Sequence, residues 1–149
     1  MDTTIDALEL TIERVLKAPR ELVFDAWVEP RHLRRWSAPH GYEIPECGGD
    51  AQPGGTWFAT MRSPAGELLR LEGRYREVER PERLVFTHRW VAGMEGPETL
   101  VTVTFTEVEE GTLMRFSQTG FAGEAARDGH GWGWSQCFER LAACLAEEA

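Results

Sequence analysis

No stretch of the chain approaches the ~18 consecutive apolar residues of a membrane span. Its opening, Met1-Asp2-Thr3-Thr4-Ile5-Asp6, also lacks the basic and apolar regions of a secretory signal, so a soluble cytoplasmic protein is expected. Cysteine is sparse, with Cys47, Cys137 and Cys144 forming no C-x-x-C. Cys137 and Cys144 fall in what reads as one helix, about 10 Å apart along its axis and too far for a disulfide. Free thiols are expected, in keeping with a reducing compartment. The four histidines, His32, His40, His88 and His130, show no ligand spacing and no H-E-x-x-H, and Cys47 stands alone, so no metal is expected. Gly129-His130-Gly131-Trp132-Gly133-Trp134 has Trp134 where a dinucleotide loop needs its last glycine, and no βαβ unit surrounds it, so no cofactor is expected. No nucleophile elbow or Ser/His/Asp order is visible. Basic charge is short too: 16 Lys and Arg stand against 25 Asp and Glu, a net charge of −9. Scattered basic residues in an acidic field exclude phosphate tracking and disfavour nucleic acid and anionic membranes as partners.

What is present is aromatic. Six tryptophans and seven phenylalanines in 149 residues do not fit a disordered chain. The length is that of one domain, 1–149, able to bury roughly two thirds of its unfolded surface. Leu8 to Lys17 alternates Leu8, Leu10 and Ile12 with Glu9, Thr11 and Glu13, the period of a half-buried strand. Ala18-Pro19-Arg20-Glu21 opens a helix bearing Leu22, Val23, Ala26 and Trp27. Glu29-Pro30 interrupts that pattern before a second short helix with Leu33 and Trp36 on one side. From Gly41 to Thr119, β-branched and aromatic runs are divided by turns at Pro53-Gly54-Gly55, Ser63 to Gly66, Arg80-Pro81-Glu82, Gly93 to Pro97 and Glu109-Glu110-Gly111. None leaves room for a crossover helix, so six antiparallel strands in a meander are predicted. The last segment, Ala122 to Ala149, is helical, with Trp134, Phe138, Leu141 and Leu145 in a single stripe. Glycines 129, 131 and 133 each cost about 1 kcal/mol in a helix, which predicts that the regular helix begins at or after them. Alternatively, this weak segment is a lid with Trp132 and Trp134 as its rim.

The order Ala18-Pro19, Val23-Phe24-Asp25-Ala26-Trp27, Pro30, Leu33, Trp36, Pro53-Gly54-Gly55, Met61, Gly66, Leu71-Glu72-Gly73, Leu84-Val85-Phe86-Thr87, Gly111-Thr112, Gly120-Phe121, Gly133-Trp134 and Leu141 to Leu145 resembles the START/Bet v 1-like superfamily (SRPBCC). Within it, the chain is similar to the C-terminal domain of the activator of heat-shock protein 90 ATPase. The resemblance implies an α+β helix-grip fold: a seven-stranded curved antiparallel sheet wrapped around a long C-terminal helix, with two short helices after the first strand. It implies a cavity for a hydrophobic molecule, and in some relatives a cyclase or hydrolase activity. The eukaryotic activator has a separate N-terminal domain that this chain lacks, so a chaperone partner is not expected.

If each strand points its apolar side inward, a cavity between sheet and last helix is lined by Trp36, Trp57, Met61, Phe86, His88, Trp90, Gln118, Trp134 and Phe138. In-pointing His88 and Gln118 would orient a small hydrophobic or aromatic ligand, since a buried polar group left unpaired costs about 1–3 kcal/mol. The same rings could equally be a filled core. A second reading makes the protein an enzyme that uses His88 as acid or base, with Glu72 as its partner. A third makes it an interaction module for a chaperone ATPase or a homodimer. Asp128-Gly129-His130 reads as a solvated loop.

Overall fold

The computed structural model describes residues 8–92 and 96–148; the opening residues 1–7 and part of the predicted Gly93–Pro97 turn lie outside them. Strand β1 spans Leu10–Leu16 and is followed by helices α1, Arg20–Val28, and α2, Pro30–Trp36. Strands β2 (Glu43–Gly49), β3 (Thr56–Arg62), β4 (Leu68–Glu79), β5 (Arg83–Ala92), β6 (Thr99–Val108) and β7 (Gly111–Thr119) come next, and helix α3, Glu124–Glu148, closes the chain. All neighbouring strands are antiparallel, in the order β1-β7-β6-β5-β4-β3-β2. The meander is thus extended by β1 pairing with β7, and the α+β helix-grip architecture is the one the family resemblance implies.

The local reasons are legible. The Pro19 carbonyl accepts the Leu22 and Val23 amides at 3.1 Å each and starts α1. Glu29 turns extended (φ −89°, ψ 121°) ahead of Pro30, which sits at the first turn of α2, where its missing N–H costs nothing. Between β3 and β4, Gly66 takes φ +89°, a left-handed conformation that favours glycine.

Cross-strand register decides which side chains face α3. Phe86 lies opposite Tyr75 and Val101, Val103 opposite Phe116, Phe105 opposite Met114, and Ile12 opposite Phe116. Beneath them, Phe24, Trp27, Trp36, Phe138, Leu141 and Leu145 complete the main core. The inner parity survives two irregularities in the β4–β5 ladder, between Arg70 and Leu71 and between Tyr75 and Glu77.

One expectation is corrected here. Helix α3 does not wait for its glycines but runs unbroken through Gly129, Gly131 and Gly133, so Asp128, Gly129 and His130 are helical. Of the three, Gly131 is the one closely packed, while Gly129 faces open space. A Cβ at Gly131 would come within 3.2 Å of Leu10 Cδ1, and one at Gly133 within 3.9 Å of Pro39.

Candidate functional site: a cleft between sheet and helix

The concave face of β3–β5 and the first half of α3 do not close on each other. Between them lies a cleft of about 520 Å³, open to solvent. Its floor is Met61, Leu69, Leu71, His88 and Trp90, and its roof is Ala125, Ala126, His130, Trp132 and Trp134. Phe121 closes one end, and Pro39 and Tyr42, from the loop after α2, form the side wall. That loop is fastened to α3. Arg140 Nη1 donates to the carbonyls of Ala38 (2.6 Å), Pro39 (3.2 Å) and Tyr42 (3.3 Å), and the His40 amide donates to Gln136 Oε1 at 3.1 Å.

A smaller space of about 70 Å³ lies deeper, against α1 and α2, lined by Trp27, Leu33, Trp36, Trp57, Phe86 and others. His88, Leu71, Ser37 and Trp134 border both spaces. Trp57 reaches this position because Gly73 opposite has no side chain: a Cβ there would overlap the indole nitrogen and the Thr87 carbonyl oxygen. The Trp57 indole N–H donates to that carbonyl at 3.1 Å.

The polar groups at the cleft floor form a chain. Trp134 Nε1 donates to Gln118 Oε1 (2.9 Å), Gln118 Nε2 donates to Thr99 Oγ1 (2.8 Å), and the Thr99 hydroxyl donates to the His88 carbonyl (2.9 Å). Gln118 is completely buried and both ends of its amide are used. His130 Nδ1 lies 2.8 Å from the Ala126 carbonyl, which can only accept, so the ring carries its hydrogen on Nδ1. Nε2 is then free to accept the Trp90 indole N–H at 3.1 Å.

His88 differs from these. Only 5% exposed, its ring is surrounded by Trp57, Trp90, His130 and Trp134 at centroid distances of 5.8–5.9 Å. Among the described residues no hydrogen bond joins its ring nitrogens to another residue, so its own backbone is the one protein partner of the ring. Burial, reinforced by the facing His130, lowers its pKa to about 3, so the imidazole is neutral at pH 7.

The structure distributes the nine predicted lining residues over three places. Met61, His88, Trp90 and Trp134 border the open cleft. Trp36, Trp57 and Phe86, with His88 and Trp134 again, border the deeper space. Gln118 and Phe138 border neither: Phe138 is 1% exposed in the core, and Gln118 is paired within the protein and needs no ligand. Glu72 is not placed to assist His88. The alternation that turns Leu71 inward turns Glu72 outward, where it is exposed and pairs with Arg70 Nε at 3.4 Å. Phe121, Pro39, Tyr42 and Arg140 entered through tertiary contacts that no local pattern marks. His130 could have been found from its position four residues before Trp134, on the same face of the helix.

Neither Cys47 nor Cys137 is activated. Burial raises both thiol pKa values, that of Cys137 to about 12. Both are free, and no group of His, Cys, Asp or Glu able to hold a metal occurs among the described residues. No helix among them is long and apolar enough to cross a membrane.

Three comparisons bear on this geometry. The model of the family described as "Activator of Hsp90 ATPase homolog 1-like protein" matches residues 17–146. Among solved structures, a Chromobacterium violaceum protein is 27% identical, with 93% of this chain and 96% of that chain covered and a TM-score of 0.84. A Rhodobacter sphaeroides protein is 27% identical over 95% of this chain and 94% of that one, with a TM-score of 0.82. The AHSA1 protein from Silicibacter pomeroyi, at 24% identity, covers 95% of this chain and 99% of its own with a TM-score of 0.85, a likeness of fold alone. No curated protein matches the chain.

Proposed function

Because the chain belongs to the activator of Hsp90 ATPase homolog 1-like family, whose model spans nearly all of it, we propose that it binds a small hydrophobic or aromatic molecule between its sheet and its C-terminal helix. The observation that carries this reading is the cleft itself: about 520 Å³, within the range of small-molecule sites and walled by Met61, Leu69, Trp90, Phe121, Trp132 and Trp134. A ligand burying ~300 Å² of apolar surface would gain roughly 7 kcal/mol before association costs.

The competing readings have less behind them. An acid/base role for His88 loses the carboxylate it invoked, since Glu72 faces away. A docking module for a large partner calls for a contiguous exposed apolar patch. The large exposed apolar side chains among the described residues are Val15, Leu68 and Trp132, on three different elements, and Trp132 belongs to the cleft rim.

The uncharged dye Nile red tests the proposal. Its fluorescence should rise saturably with one equivalent of protein, and Ala125→Trp, which fills the cleft from an exposed position on α3, should abolish that rise without lowering Tm. An unsaturable signal, or one indifferent to Ala125→Trp, would leave the cleft without a binding role.

A further inference from the structure

We propose that the cleft selects an uncharged ring compound carrying a hydroxyl group, and that the hydroxyl pairs with the His88 imidazole; this rests on the cleft being a binding site. Two independent observations lead there.

The first is an absence specific to the lining. In a chain with 28% charged residues, no Asp, Glu, Lys or Arg among the described residues borders the cleft or the deeper space. A carboxylate or ammonium bound there would give up its hydration with no counter-charge to replace it, a large cost in a partly dehydrated site. The acidic protein as a whole also repels anions. Free acids, phosphates and amines are therefore selected against.

The second is a count of unused hydrogen-bonding capacity. Among the buried polar side chains at the cleft, the Thr99 hydroxyl donates to the His88 carbonyl and accepts from Gln118. The indole N–H groups of Trp90 and Trp134 are spent on His130 and Gln118, and both His130 nitrogens are engaged. Ser37 Oγ donates to the Leu33 carbonyl at 2.7 Å. Two groups remain: the half-buried Tyr42 hydroxyl on the side wall, and the ring of His88, 5% exposed at the cleft floor, which bonds to no other described residue and has only its own backbone as a partner. Of the two, only His88 is buried. A neutral imidazole presents one N–H and one lone pair. A hydroxyl, which both donates and accepts, can satisfy whichever nitrogen faces it. The rings of Trp90, Trp134 and His130 around His88 then supply faces and edges for an aromatic ring.

Three probes of one shape separate the possibilities: 2-naphthol, naphthalene and 2-naphthoate, titrated at pH 7 by tryptophan fluorescence. The expected order is 2-naphthol tighter than naphthalene by a factor of about 10, for one buried hydrogen bond, and 2-naphthoate weakest. In His88→Phe the naphthol preference should collapse to about twofold or less, while naphthalene still binds. Should that variant misfold, the ring resonances of His88 in the native protein serve instead, and they should move on adding 2-naphthol more than on adding naphthalene. Naphthoate binding as tightly as naphthol, a preference that survives His88→Phe, or His88 resonances that do not distinguish the two probes would overturn the proposal alone. Failure of all three compounds to bind would overturn it together with the cleft as a binding site.

Discussion

At the scale of single residues, the site depends on a few groups whose neighbours leave no slack. Gly73 is the clearest, because the Trp57 indole and the Thr87 carbonyl occupy the space where any side chain would begin. Gly73→Ala should therefore cost about 2 kcal/mol or more in urea unfolding and displace Trp57, visible as a change in near-ultraviolet circular dichroism. His88 makes a different demand. It is neutral when folded, with a pKa near 3, and free to protonate near 6.5 when unfolded. Its contribution to stability is present above pH 6.5 and is lost as the pH falls from there toward 3, because the unfolded chain then binds a proton the folded one refuses. Urea titrations between pH 7.5 and 4.5 should show a slope of up to about 1.4 kcal/mol per pH unit from this residue, and His88→Phe should flatten it by that amount. Identical pH profiles for the two proteins would mean that His88 takes up its proton as readily in the fold as in the unfolded chain. Both residues mark where sequence reasoning ended. The alternation of Phe86, His88 and Trp90 showed that His88 points inward, but no periodicity reports that Gln118 would find Thr99 and Trp134 while the His88 ring would bond to no other described residue.

At the scale of elements, the strands and short helices were legible because each is punctuated by its own chemistry. Glu29-Pro30 separates α1 from α2, and the Thr and Val alternation of β6 fixes its inner face. Helix α3 was harder. Its three glycines argue for a late start on propensity alone, whereas the helix runs from Glu124, with Gly131 close against Leu10 and His130 against His88 and Phe121. The conflict leaves a trace in dynamics. Residues 124–133 carry the glycines and mostly exposed positions, while 137–145 contain the buried Cys137, Phe138, Leu141 and Leu145. Amide hydrogen exchange should accordingly be faster in 126–132 than in 138–145, which is the behaviour of a segment able to lift from the cleft. Gly129→Ala, with nothing within 4 Å of the new methyl group, should stabilise the helix by about 1 kcal/mol and narrow that difference. Equal protection along the whole helix would remove any opening role for its first half.

At the scale of the molecule, the acidic charge and the aromatic richness separate in space. Charge lies on the outer surfaces, as in the Arg35–Glu147, Arg62–Glu43 and Arg70–Glu72 pairs, and contributes little to stability there. The aromatics divide between a packed core around Trp27, Trp36, Phe116 and Phe138 and a cleft wall of Trp90, Trp132 and Trp134. Composition and periodicity place all these rings between sheet and helix but cannot say which are core and which are wall. That division depends on where α3 stands off the sheet, a gap walled on one side by the loop that Arg140 fastens to α3 through three carbonyls. The indole N–H resonances of the six tryptophans test the division most directly. On titrating ¹⁵N-labelled protein with 2-naphthol, those of Trp90, Trp132 and Trp134 should move along one saturating curve, while those of Trp27 and Trp36 stay in place. Movement of none, or of the core indoles as much as the cleft indoles, would contradict the cleft as the place where this protein binds its ligand.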